Sequence, residues 1–348
     1  MKLTGCGRHG YRWHANNYGS AVAYFTPTNL QDALAARAGG ARPLAGGTDL
    51  YAQAGILRGD LVDLSRIEAL RGIGRADAGW WRIGATTSWA QIARAKLPAP
   101  FGALQQAARQ TGAVQVQNAA TIGGNLVNAS PAADGAVALM VLDGEVELGS
   151  ARGVRRLKVA DFLRGPGESA LGADELLIAV WLPDVAGGAS AFVKLGIRAH
   201  MVISQVMVAA LLGLEGGRIG EARIAVGACS PVPRRLGALE ADLAGQSLAA
   251  LAAPGLVGAR HLAPLSPIDD LRAPASYRLA AAARLVGDAL AQAARRAAGG
   301  RRMARPLALL LNGAPVSASL APGERLSRAL REDFGARDVR ARCQGRLQ

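Results

Sequence analysis

Residues 1–20 carry neither the two-residue period of a strand nor the 3.6-residue period of a helix, so 1–21 reads as an extension ahead of the first domain. From Tyr24 the pattern changes. Tyr24-Phe25-Thr26-Pro27 is extended, and Thr28-Asn29-Leu30-Gln31 has the form of a capping box, in which a hydroxyl and an amide three residues apart satisfy each other's backbone donors. It opens a helix over 29–37 with Leu30, Ala33 and Leu34 on one face, stopped by Gly39-Gly40. Pro43-Leu44-Ala45 predicts a short buried strand, Gly46-Gly47-Thr48 a tight turn leading to another helix, and Leu61-Val62-Asp63-Leu64 a further strand. Together these make one α/β unit.

A second unit starts near Trp81-Arg82-Ile83-Gly84. Ser88-Trp89-Ala90-Gln91 is again a capping box, opening a helix that runs to about Lys96 before Pro98 and Pro100 break it. A helix over 103–110 precedes a glycine-rich stretch around Gly123-Gly124. A helix near 135–142, a turn at Asp143-Gly144, a strand over 145–148 and a strand over 177–182 close the unit at Pro183. Residues 184–190, with Gly187-Gly188, form a linker. Beyond it, strands over 192–195, 203–211 and 222–228 and helices over 236–244 and 277–294 predict an α+β domain. After a second linker over 297–305, 307–311 and 315–320 predict a hairpin around Asn312-Gly313, followed by a helix over 325–331.

Composition narrows the class. The 348 residues are 50% hydrophobic and 19% charged, which suits two or three globular domains rather than a disordered chain. The longest apolar run, 206–214, falls well short of the roughly 20 residues of a membrane helix. With no apolar segment near the start to act as a secretory signal, the expected address is the cytoplasm. Cys6, Cys229 and Cys343 are odd in number and far apart, which argues against a disulfide framework, and three cysteines cannot hold a four-thiolate iron–sulfur cluster. The net charge of +14 is concentrated at the ends: residues 295–348 carry 12 Lys/Arg against 4 Asp/Glu, and the first 20 residues add +3. The body is close to neutral, no nucleic-acid-binding module accompanies the basic ends, and no nucleic acid is expected as a partner.

Two segments carry chemistry. In Leu44-Ala45-Gly46-Gly47-Thr48-Asp49-Leu50, paired glycines let backbone N–H groups approach an anion, and successive N–H groups form a nest suited to a pyrophosphate. An ordinary structural turn is the competing explanation for this segment alone. In Thr121-Ile122-Gly123-Gly124-Asn125 paired glycines again stand beside a hydroxyl and an amide. Asp134 follows, placed either to accept from sugar hydroxyls or to cap the next helix. One such loop per α/β unit suggests two nests clasping the phosphates of one dinucleotide. Neither G-x-x-x-x-G-K-[ST] nor a post-strand G-x-G-x-x-G is present, so neither a P-loop nor a Rossmann site is supported. His9, His14, His200 and His261 are scattered and suggest no metal site, and spacing yields no catalytic triad or paired carboxylates.

Segments 45–50 and 121–134, the latter reading Thr-Ile-Gly-Gly-Asn-Leu-Val-Asn-Ala-Ser-Pro-Ala-Ala-Asp, resemble the two FAD-binding signatures of the flavoprotein subunits of molybdenum-containing hydroxylases, the xanthine dehydrogenase and carbon monoxide dehydrogenase type. Leu61-Val62-Asp63-Leu64, Arg82-Ile83-Gly84-Ala85-Thr86-Thr87, Asp161-Phe162 with Gly165-Pro166-Gly167, Glu175-Leu176-Leu177, Phe192-Val193-Lys194-Leu195 with Arg198, and Ile268-Asp269-Asp270-Leu271-Arg272 with Tyr277-Arg278 agree with it. The resemblance implies an α+β chain: a two-lobed FAD-binding domain of the vanillyl-alcohol-oxidase and p-cresol-methylhydroxylase type over 22–185, with lobes of about 22–80 and 81–185, then a smaller α+β domain over 190–296.

It further implies that 45–50 and 121–125 hold the FAD pyrophosphate, with Leu44 beside them. Asp134 would lie near the ribitol or ribose, Leu177 on the ring system, Lys194 near the flavin edge and Thr111 in the lining. A solvated strand lysine is the plainer account of Lys194. The implied partners are a molybdenum-cofactor large subunit and a [2Fe-2S] small subunit in a hetero-oligomer. The four-cysteine insertion of the 4-hydroxybenzoyl-CoA reductase branch is missing. Residues 306–348 resemble the beginning of the [2Fe-2S] subunit, with Cys343 where its first cluster cysteine falls, and read as an incomplete ferredoxin-like fragment. The alternatives are a stand-alone flavin reductase of the same fold and a partner-binding protein with a decayed FAD site.

Overall fold

A computed structural model describes residues 23–52, 59–76, 79–185, 187–198 and 201–298 with their side chains, and the strands outside these ranges as backbone. The chain divides into two units, 1–297 and 298–348. Residues 1–21, expected to lack structure of their own, contribute two antiparallel strands, β1 (Leu3–Cys6) and β2 (Gly10–Trp13). They extend a sheet whose parallel part is β3 (Val22–Phe25), β4 (Arg42–Leu44) and β5 (Leu61–Asp63), with β5 in the middle. Helix α1 (Leu30–Ala38) packs Ala33 and Leu34 inward. Its cap is one residue later than the sequence suggests: Asn29, not Thr28, accepts from the Asp32 N–H at 2.9 Å, an amide oxygen being as good a cap as a hydroxyl.

Lobe 2 is built on a five-stranded antiparallel sheet, with β6 (Ile73–Ala76), β7 (Trp80–Gly84), β8 (Glu145–Ser150), β9 (Gly153–Lys158) and β12 (Leu176–Pro183) in the order β6-β7-β12-β8-β9. Between its strands come α2 (Trp89–Arg94), α3 (Gly102–Gln110), α4 (Val114–Ala119), α5 (Ile122–Asn128), α6 (Asp134–Val141) and the single turn α7 (Val159–Phe162). A short hairpin of β10 (Leu163–Gly165) and β11 (Glu168–Ser169) follows α7. The Ser88 capping box forms as the sequence requires: Ser88 Oγ accepts from the Gln91 N–H and Gln91 Oε1 from the Ser88 N–H. The central strand β12 serves two cores. Leu176, Ile178 and Ala179 pack with Ala33, Val62 and Ile67 of lobe 1, while Leu177, Val180 and Leu182 pack with Trp89, Phe101 and Leu139 of lobe 2.

The third part is a four-stranded antiparallel sheet of β13 (Ala189–Leu195), β14 (Val206–Glu215), β15 (Arg218–Gly227) and β16 (Arg234–Arg235), with α8 (Gly237–Leu243), α9 (Ala259–Leu262) and the long α10 (Ala275–Ala297). The apolar run 206–214 is the inner strand β14, covered on both faces. Met207, Ala209 and Leu211 join the lobe 2 core, and Val208, Ala210 and Leu212 face α10. Among the described residues no helix is long and apolar enough to cross a membrane. In the second unit β17 (Arg305–Leu311) pairs antiparallel with β18 (Ala314–Leu320), the hairpin that the sequence predicts. Cys343 and the helix expected over 325–331 lie outside the described residues.

Arg278, buried on α10, ties this part together. It donates to the carbonyls of Gln205 (2.6 Å), Ala228 (3.2 Å) and Ala273 (3.4 Å) and to Asp270 Oδ1 (2.7 Å). The Arg272 and Ala273 N–H groups and the Arg278 guanidinium hold the Asp270 carboxyl down at about 2. A carboxyl lowered by folding stabilises the native state above its ordinary value, about 3.9, and that contribution fades as pH falls toward 2. The stability gap between the native protein and Asp270→Asn is therefore expected to be full at pH 6 and closed at pH 2. Urea midpoints across that range measure it, and a gap independent of pH would contradict the assignment.

Candidate functional site

A cleft of about 740 Å³ runs between the two lobes, within the range of about 300–1,000 Å³ usual for small-molecule and cofactor sites. Lobe 1 contributes Arg42 to Leu50, and lobe 2 contributes Ala85, Trp89, Thr111 to Ala113, Thr121 and most of α5. Asp134, Leu176 and Leu177 form the end wall, with Met201, Val202 and Ile203 from the third part beside them.

The glycines explain how two segments 75 residues apart come together. A Cβ on Gly46 would stand 2.0 Å from the Ala119 carbonyl oxygen and 2.9 Å from Ala120 Cα. The turn of lobe 1 thus touches the backbone just before Thr121. Gly47 has φ +69°, a left-handed conformation that favours glycine, and a Cβ there would also push aside the exposed Tyr51 ring. From Gly46 to Leu50 no backbone N–H donates to another described residue, which leaves these donors for an anion.

The second segment differs from expectation. Residues 122–128 are helix α5, not an open nest, and its first N–H groups are already taken. Thr121 caps the helix through Oγ1, which accepts from Gly124 at 3.1 Å. The N–H groups of Ile122 and Gly123 donate to the Thr87 and Ala85 carbonyls, and that of Asn125 to the Thr121 carbonyl. A Cβ on Gly123 would sit 2.8 Å from the Ala85 oxygen, so this glycine seats the helix on lobe 2. Gly124 is exposed and presents bare backbone to the cleft. What this segment offers a ligand is room and the Asn125 side chain, not a row of free donors.

Two polar atoms of the cleft residues are buried without partners: Asn125 Oδ1, an acceptor, and Trp89 Nε1, a donor. Buried Gly135 packs against both side chains: a Cβ there would meet Trp89 Cη2 at 2.2 Å and Asn125 Oδ1 at 3.0 Å. Leaving such groups unmade costs about 1–3 kcal/mol each. Free N–H donors on the 46–50 turn, the exposed backbone of Gly124 and apolar side chains such as Leu177 and Val116 suit an elongated dinucleotide diphosphate. No group of three side chains among the described residues is arranged to hold a metal ion.

Of the residues expected at this site, Leu44 to Leu50, Thr111, Thr121, Gly123, Gly124, Asn125, Asp134 and Leu177 all line the cleft. Two do not. Ile122 is fully buried in the lobe 2 core, because the helix turns its side chain inward. Lys194 is not the solvated lysine of the plainer account: its ammonium donates to Asp134 Oδ2 at 2.7 Å and to the Gln110 carbonyl at 2.8 Å, and both partners of the ion pair keep only 7% side-chain exposure. Burial pushes the Asp134 carboxyl up, and the Lys194 ammonium and Ser204 hydroxyl pull it back. Asp134 opens α6 in the sequence, but it makes no cap hydrogen bond there. Sequence reading missed Trp89, Arg42 and 201–203; Trp89 had been absorbed into its capping box, and nothing local marks the others.

The profile of the FAD binding domain in molybdopterin dehydrogenase matches residues 18–185. That of the CO dehydrogenase flavoprotein C-terminal domain matches residues 191–293. The chain is 35% identical over 226 residues to the xanthine dehydrogenase FAD-binding subunit of Escherichia coli O157:H7, covering 62% of this chain and 76% of that one. It is 31% identical over 288 residues to the carbon monoxide dehydrogenase medium chain of Afipia carboxidovorans, covering 79% and 97%. A chain of quinoline 2-oxidoreductase from Pseudomonas putida 86 superposes with a TM-score of 0.71 at 27% identity, over 80% of this chain and 98% of that one.

Proposed function

Since this chain belongs to the FAD-binding subunits of the molybdenum-containing hydroxylases, a family of oxidoreductases, we propose that it is the electron-exit subunit of such a complex. It takes electrons from [2Fe-2S] clusters on a small partner subunit, after a molybdenum-cofactor subunit has oxidised the organic substrate. It passes them to an acceptor such as NAD⁺, a quinone or oxygen. Bound FAD supplies the exchange between one-electron and two-electron transfer. The observation that carries the reading is the meeting of the two glycine segments, Gly46 against Ala119 and Ala120, at the edge of a cleft of dinucleotide size.

The residues divide the work. Backbone donors of Gly46, Gly47, Thr48, Asp49 and Leu50 hold the pyrophosphate. Thr121, Gly123 and Gly124 give it room from the other side. Asn125 and Asp134 lie near the sugar or ribitol hydroxyls, and Leu177 packs on the ring system with Thr111 in the lining.

The visible spectrum of the purified full-length protein, with co-purifying subunits identified by mass, tests the proposal. Flavin bands together with a molybdenum subunit and a [2Fe-2S] subunit are expected. A colourless protein that refuses added FAD, or a single polypeptide active on its own small substrate, overturns it. A sharper expectation concerns Asn125→Leu. Oδ1 accepts no hydrogen bond from the described residues, so its removal should leave the thermal midpoint unchanged or slightly higher. FAD affinity should fall about tenfold, about 1.4 kcal/mol. Fluorescence titration and differential scanning calorimetry measure the two effects separately.

A further inference from the structure

Ser204 and Lys194 stand outside the cleft but hold three pieces of its wall. Asp134 is the meeting point: Oδ2 accepts from Lys194 Nζ at 2.7 Å, and Oδ1 accepts from Ser204 Oγ at 2.7 Å. Lys194 also donates to the carbonyl of Gln110, the last residue of α3. Each anchor is the immediate neighbour of a wall segment. Thr111, Gly112 and Ala113 follow Gln110; Ala132 and Ala133 precede Asp134; Met201, Val202 and Ile203 precede Ser204. Asp134 belongs to the part matched as the FAD-binding domain, whereas Lys194 and Ser204 belong to the part matched as the C-terminal domain. The cluster therefore crosses from one domain to the other.

At its start the 201–203 segment is held by the Arg198 guanidinium, which donates to the Met201 carbonyl, and by Val202 packed on Gly196. Met201 and Ile203 are themselves 60% and 53% exposed, and Met201 holds a left-handed φ of +52°. At its end Ser204 supplies the tie that joins the segment to Asp134 of the other domain. Ser204 is 2% exposed, and both Asp134 oxygens are used. A buried ion pair contributes little net stability over apolar packing of the same shape, but it demands one geometry. That makes it better suited to setting a spacing than to adding stability.

We propose that Lys194 and Ser204 are positioning residues that, through Asp134, lock the 111–113, 132–134 and 201–203 segments into one cleft wall. The flavin part of this inference rests on the function proposed above; the lock itself does not.

The test uses the full chain and four variants: Lys194→Met, Ser204→Ala, Asp134→Asn, and the double variant Lys194→Met with Asp134→Leu, which removes both charges at once. Hydrogen exchange is followed at 201–205 in the flavin-free protein, together with thermal midpoint, FAD affinity and the circular dichroism of bound flavin. All three single variants are expected to speed exchange at 201–205 at least tenfold, and to weaken FAD binding about tenfold with an altered flavin signal. The double variant, relieved of an unpaired charge, should regain most of the thermal midpoint but neither the slow exchange nor the native flavin signal. Native exchange in Ser204→Ala overturns the proposal, and so does a double variant that recovers FAD affinity along with its midpoint. Should the native protein itself take no FAD, the functional reading fails, while the exchange measurement still decides the lock.

Discussion

Gly46→Ala is expected to weaken FAD binding about a hundredfold, about 2.8 kcal/mol. The new methyl would lie 2.0 Å from the Ala119 carbonyl oxygen, where a Cβ essentially never comes closer than 3.0 Å. Backbone surrounds it, with Ala119 C at 2.7 Å and Ala120 Cα at 2.9 Å, so no side chain can rotate aside. The lobes must separate locally by about an ångström, which opens the backbone contact that closes the cleft at this point. Gly74 is the control: it has ordinary φ and nothing within 4 Å of an added Cβ, so Gly74→Ala should bind FAD as the native protein does. Titration of the flavin-free protein measures both. Binding by Gly46→Ala within threefold of native would mean that the contact between the two segments does not shape the site.

The second large effect concerns stability. Arg278→Leu should destabilise the protein by about 3–5 kcal/mol, because a buried partner is removed and the groups it served are left behind. Those groups are three carbonyls and the Asp270 carboxylate, and the lost guanidinium was only 4% exposed. At roughly 2–4 °C per kcal/mol for a domain of this size the thermal midpoint should fall by roughly 10 °C. Arg278→Lys should recover only a minor part, since one ammonium cannot span four acceptors set around a planar fork. A midpoint within about 2 °C of native for Arg278→Leu would show that these carbonyls find other donors. The loss should reach the cleft as well, because Gln205 directly follows the residue that ties 201–203 in place.

Much of this architecture is written in short-range signals. Ser88 and Gln91 announce their own helix start, Leu30, Ala33 and Leu34 their buried face, and Pro183 the end of the second lobe. The two glycine segments and Asp134 were legible as a site because one such segment stands in each lobe and both resemble the signatures of one family; either glycine pair alone reads as an ordinary turn. What the chain does not declare locally is approach between distant parts. That Gly46 touches Ala119, that Trp89 packs beside the cleft, and that Lys194 turns inward to Asp134 are all consequences of tertiary packing. The Gly123-Gly124 pair shows the same limit from the other side. Glycine disfavours a helix interior, so local propensity pointed to an open loop. The helix forms anyway because Thr121 caps it and the carbonyls of Ala85 and Thr87 take its leading N–H groups.

Strand β12 is a party wall. The lobe that carries Gly46 and the lobe that carries Gly123 each lean on one side of it, so neither can be melted while the other stands. Heat or denaturant should therefore meet one cooperative object, and a departing flavin leaves behind two banks that keep their distance.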